Sequence, residues 1–131
     1  MKKLIRSAIY LGLMLSITGC PKKADIIYRQ EIAFLPDKYT CLMDVIKRFD
    51  SIMVKDIRDL KTNSPFNGYT IYLDTKHSST DLTVYEPSSG EYIYDVSTWL
   101  QYDITEKERH EIEKLISKVT ESVKETCLTK G

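Results

Sequence analysis

The apolar period switches twice along this chain, and no other feature restricts its fold as strongly. Between residues 37 and 61, Tyr39, Leu42, Met43, Ile46, Phe49, Met53, Ile57 and Leu60 return every three or four positions, as one face of a helix does. Asp44, Lys47, Ser51, Lys55 and Arg58 fall opposite them. Beyond Tyr69 the period drops to two. Residues 69–74, 81–86 and 91–97 alternate apolar with polar side chains, the pattern of half-buried strands. From Thr105 the helical period returns, with Ile112, Leu115, Ile116, Val119, Val123 and Cys127 on one side.

Local punctuation agrees with these boundaries. Pro36 and Asp37 suit the start of the first helix, where proline fits the first turn and aspartate caps free amides. Asn63 and Pro65 suit its stop. Pro87-Ser88-Ser89-Gly90 reads as a hairpin loop, with a glycine available for a positive dihedral. Thr105-Glu106-Lys107-Glu108 matches a capping box, in which threonine accepts an amide three residues on and Glu108 reaches back. Trp99 and Tyr102 fall in the connection before that box. Short connections between the strands predict an antiparallel meander. The expected fold is α+β in two layers: a helix, a three-stranded antiparallel meander, then a second helix. Residues 26–34 alternate imperfectly and read either as an additional N-terminal strand or as an extended lead-in.

Ahead of this domain stands a different kind of sequence. Met1-Lys2-Lys3 and Arg6 form a positive head, residues 5–17 are almost unbroken apolar sequence, and Ile17-Thr18-Gly19-Cys20 closes the stretch. The apolar run is shorter than the roughly 20 residues a membrane-spanning helix needs. The segment resembles a bacterial lipoprotein signal peptide with its lipobox. That resemblance covers only the first 22 or so residues. It implies cleavage after Gly19, lipid on the sulfur and new amino terminus of Cys20, and export. The implied organisation is a signal peptide over 1–19, the lipidated cysteine and a tether over 20–25, and one domain over 26–131. Residues after the cysteine, Pro21 and Lys22, lack the acidic pattern of inner-membrane retention. In a two-membrane bacterium this favours the outer membrane, facing the periplasm; in a single-membrane bacterium the chain would stand on the outer face of the cell.

Export also assigns the other thiols. Cys20 belongs to the lipid, so Cys41 and Cys127 are the remaining pair in an oxidising compartment and are expected to form a disulfide. It would join the start of one helix to the end of the other. The chain-entropy model gives such a loop about 4–5 kcal/mol of stabilisation.

Charge narrows the partners. The whole chain balances 19 basic against 19 acidic residues, but cleavage removes Lys2, Lys3 and Arg6 and leaves a net charge of −3. A mildly acidic domain lacks the basic footprint required for nucleic acid. His110 is expected to face water. His77, at a hairpin tip near Asp74 and Asp81, lacks a fourth ligand for a metal. Glu106, Glu108, Glu111 and Glu113 scatter around a helix instead of converging. No Gly-x-Ser-x-Gly setting and no glycine-rich phosphate loop occur. No catalytic residue, metal or cofactor is therefore expected.

Tyrosine carries the remaining signal. Five of the nine tyrosines lie within residues 69–94. If Ile71, Leu73, Leu82 and Val84 face the helices, then Tyr72, Tyr85 and Ile93 face away, among Thr70, Asp74, Thr83 and Asp95. Large aromatics with polar neighbours on a rigid surface are typical of interface hot spots, although tyrosine also favours strands for its own sake. The expected function is that of a lipid-anchored, non-enzymatic protein-binding module of the envelope, such as an inhibitor or immunity protein, with Tyr72, Tyr85 and Ile93 at the contact. The alternative is a structural accessory of an envelope assembly.

Overall fold

The computed structural model describes residues 23–36 and 39–129. The lipobox with Cys20, and Asp37 at the expected helix start, lie outside the described residues. Five strands and two helices follow in the order β1 (Ile26–Ile32), α1 (Thr40–Ile46), β2 (Met53–Asp59), β3 (Asn67–Thr75), β4 (Ser78–Ser88), β5 (Glu91–Leu100) and α2 (Glu106–Val123). A π-helical turn over Lys124–Leu128 extends α2. The strands form one antiparallel sheet in the order β1-β5-β4-β3-β2.

The three-stranded meander is thus corrected to a five-stranded sheet, although the chain remains a mixture of α and β. One added strand comes from 26–34, where Ile26 pairs with Thr98 and Ile32 with Tyr92. Asp25 fixes the start of this edge: its amide donates to the Thr98 carbonyl at 2.8 Å and its carboxylate accepts the Leu100 amide at 2.7 Å. The other added strand, β2, replaces the second half of the helix expected over 37–61.

The physical reason is a bulge. Val54 pairs with Leu73 and Asp56 with Tyr72, so Lys55 is an extra residue in β2. A bulge resets the alternation. Val54 and Ile57, three apart, therefore both pack against the core, imitating helical spacing. Met53, expected on the helix face, is 70% exposed on the outer side of the edge strand. The real helix α1 ends at Ile46. The amides of Arg48 and Phe49 then bond back three residues, to Val45 and Ile46, and close the turn.

Both helices cover one face of the sheet. Leu42, Val45 and Ile46 of α1 and Ile112, Ile116, Val119 and Val123 of α2 join Ile71, Leu73, Leu82, Val84, Tyr94 and Val96 in a single core. Full burial of each such aliphatic side chain contributes about 1.5–3 kcal/mol. Tyr94 is completely buried, and its hydroxyl donates to the Thr120 carbonyl at 3.3 Å, pinning the sheet to α2. Burial pushes its phenol far above the ordinary range. The buried hydroxyls of Thr80 and Thr98 satisfy each other at 2.8 Å.

Two local expectations hold. Thr105 and Glu108 make the reciprocal capping box at the start of α2. Cys41 and Cys127 are joined by a disulfide with their Cα atoms 5.9 Å apart, across 86 residues of chain. Cys41 lies in the first turn of α1 and Cys127 in the π-helical turn that ends α2, so the bridge ties the two helices together.

Candidate functional site

The sheet face opposite the helices is laid out by register. Across β1, β5, β4 and β3, successive rows read Ile27–Ser97–Asp81–Tyr72, then Arg29–Asp95–Thr83–Thr70, then Glu31–Ile93–Tyr85–Gly68. Asp56 and Arg58 of β2 continue the first two rows. Trp99, expected in a connection, instead lies on β5 opposite Ser79 of β4. Tyr72 and Tyr85 stand on this face, half-buried. Ile93 does too, but at 6% exposure it is closed over. It therefore offers little surface of its own to a partner.

Arginines from the two edge strands hold the rings. Arg29 of β1 reaches past β5, where its Nη2 donates to the Tyr85 hydroxyl at 2.7 Å and its Nη1 lies 3.6 Å from Asp95 Oδ2. Arg58 of β2 lies over the Tyr72 ring, 5.7 Å from its centroid, and donates to Asp56 at 2.8 Å. Phe66 packs tilted against Tyr85 with ring centroids 6.0 Å apart. The strand beside Tyr85 must carry a glycine there: Gly68 has φ +135°, and a Cβ would come within 2.2 Å of the Val84 carbonyl oxygen.

The middle of the face is acidic and under-compensated. Burial pushes the Asp95 carboxyl up, against a smaller opposing pull from Arg29. Its Oδ1 is buried and has no hydrogen-bond partner among the described residues. Burial also pushes Asp81 up, and among the described residues no charge or hydrogen bond acts against it. Asp74, by contrast, accepts from Ser79 at 3.1 Å and meets Lys55 at 4.0 Å.

His77 turns away from Asp74 and Asp81. Its Nε2 is 2.9 Å from Glu108 Oε2 and its Nδ1 is 3.3 Å from Gln101 Oε1, so it ties the β3–β4 turn to the start of α2. Among the described residues, no group of three or more His, Cys, Asp or Glu side chains is placed to hold a metal ion. His110 is 82% exposed beside Glu113. With Lys107, Glu111, Lys114 and Ser117 these two line only an open depression on the solvent side of α2.

The sequence signal missed Arg29, Arg58, Asp81 and Trp99 as members of the face. The alternation of Ile27, Arg29 and Glu31 carried Arg29. The β2 bulge hid Arg58. Comparison with protein-family models, with curated proteins and with solved structures finds no match to this chain.

Proposed function

We propose that the chain is an envelope lipoprotein, anchored through lipid on Cys20, whose sheet face opposite α1 and α2 binds a protein partner without catalysis. The observation that carries this reading is the pair Tyr72 and Tyr85, presented on the bare side of the sheet and each held by an arginine from an opposite edge. Rings fixed in this way have little entropy left to lose on docking, and a central tyrosine contributes about 2 kcal/mol when an interface closes over it. The tether supports the anchoring half. Residues 20–26 span at most about 20 Å when extended, so the domain would stay close to the bilayer. An inhibitor or immunity protein acting on an envelope partner fits this arrangement, and the outer membrane facing the periplasm is the favoured location.

The test is positional cross-linking in intact cells. A photoreactive side chain at Tyr72 should yield a discrete protein adduct, whereas one at His110, on the solvent side of α2, should not. No adduct from Tyr72, or equal adducts from both sites, would refute the docking reading. Cys20→Ser should release the chain from the membrane fraction and abolish fatty-acid labelling. Unchanged fractionation and labelling would refute the anchor.

A further inference from the structure

The face carries a charge pattern that the proposed docking does not itself require. Asp81 sits between Tyr72 and Ser97, and Asp95 between Arg29 and Thr83. On adjacent strands two residues out of step, their Cβ atoms are diagonal neighbours, about 7–8 Å apart or slightly less. The other two corners of this square are the short side chains Thr83 and Ser97. Thr83 is already bonded to Thr70 at 2.9 Å. Tyr72 lies directly across from Asp81, with Tyr85 diagonal to Asp95 and Trp99 diagonal to Asp81. The result is a low acidic floor with large aromatic rings around it.

The protein's own cations leave this floor short of positive charge. Arg58 is committed to Asp56 and the Tyr72 ring. Arg29 approaches Asp95 through Oδ2, and the buried Oδ1 has no partner among the described residues. Among the described residues no counter-charge faces Asp81, and burial penalises its ionised form. A partly desolvated carboxylate without a partner is unfavourable, and a cation brought to it removes that cost. A guanidinium has the fork geometry to serve two carboxylates and a flat surface to lie against tyrosine or tryptophan, as Arg58 already does on Tyr72.

We propose that the partner docks through a basic segment, one of whose arginine or lysine side chains seats between Asp81 and Asp95 within the wall formed by Tyr72, Tyr85 and Trp99. This rests on the docking reading above and assigns the chemistry of what docks. It also agrees with the net charge of −3 left after removal of Lys2, Lys3 and Arg6, which would draw a basic partner over long range.

The experiment uses the full chain in nonionic detergent with four probes: hexa-arginine, hexa-lysine, hexa-glutamate and a tetramer of N-acetylglucosamine. Hexa-arginine should bind saturably, shift the amide resonances of Asp81, Thr83, Asp95 and Ser97, and weaken as salt rises. Hexa-lysine should bind more weakly at the same amides. Asp81→Asn with Asp95→Asn, which keeps the shape of both side chains, should weaken hexa-arginine at least tenfold while the rest of the spectrum stays unchanged. Equal binding by wild type and double variant would overturn the proposal, as would shifts confined to Glu111 and Glu113 on α2. Binding of hexa-glutamate or of the sugar tetramer at this face without hexa-arginine would also overturn it. The cross-linking readout separates the two ideas. A Tyr72 adduct whose yield ignores the double Asn change leaves docking intact and removes the basic segment. Saturable hexa-arginine binding without any Tyr72 adduct removes docking and keeps the cation site.

Discussion

Arg29 and Tyr85 meet across an intervening strand, with the guanidinium Nη2 2.7 Å from the tyrosine hydroxyl. Arg29 belongs to β1 and Tyr85 to β4, so the bond spans β5 and passes beside Asp95. One edge residue thereby orients a ring in the middle of the sheet and partly compensates a desolvated carboxylate. Replacing it should disturb both. In Arg29→Met, Asp95 loses the opposing pull of the guanidinium, so its carboxyl should titrate at higher pH than in the wild type. The expected loss of stability at pH 7 is about 0.5–1.5 kcal/mol, because the arginine is half-exposed. The loss should shrink in acid as Asp95 becomes neutral. Carboxyl-carbon NMR titration, paired with urea melts at pH 7 and pH 4, checks both halves.

Asp81 makes a separate pH prediction. Burial raises its folded-state carboxyl above the unfolded reference of 3.8, so the folded chain holds the proton more tightly. Between those two values the folded state binds more protons than the unfolded one, and stability falls as pH rises through the window. Asp81→Asn removes that penalty. The variant should be more stable than wild type at pH 7 by about 0.5–1 kcal/mol, discounted for a half-exposed position. At pH 3, where wild-type Asp81 is protonated, the difference should vanish. Glu108, Glu86 and Asp56 oppose this trend, since hydrogen bonds hold their carboxyls below the usual range and their contribution is lost in acid. The comparison therefore has to be read as variant against wild type at each pH.

The Cys41–Cys127 bridge closes 86 residues of chain. It also fastens α1, a helix of seven residues to which Tyr39 gives no side-chain cap, to the end of α2. Cys127→Ala should cost about 2–5 kcal/mol, a large share of the 5–15 kcal/mol typical of a whole domain. Chemical denaturation measures the loss. Native-state hydrogen exchange should show α1 and the Lys124–Leu128 turn opening first, with the β3–β4–β5 centre last.

How much of this was legible in the sequence depends on what each signal measures. The period of two over 69–97 placed Ile71, Leu73, Leu82 and Val84 against the helices and Tyr72, Tyr85 and Ile93 away from them, as the register has it. The capping box at Thr105 and Glu108 was readable because both partners lie within one turn. Failure came where periodicity is ambiguous. Val54 and Ile57 carry helical spacing in a strand because Lys55 bulges out between them. No window of sequence separates that from a helix. Ile93 exposes a second limit: alternation assigns a face, but neighbouring side chains decide exposure. The contact between Arg29 and Tyr85, 56 residues apart, depends on β1 joining the sheet at β5, which is a tertiary fact with no local signature.

The proposed function resides in the sheet face opposite α1 and α2. The most direct measurement is the affinity of the Tyr72 cross-linked partner for wild-type chain and for the double variant Tyr72→Ala with Tyr85→Ala, with thermal unfolding recorded for both. Neither ring belongs to the core cluster, so the variant should keep its disulfide and its cooperative melt while binding weakens at least tenfold, or about 1.4 kcal/mol. A double variant that folds and binds its partner as tightly as the wild type would contradict the claim.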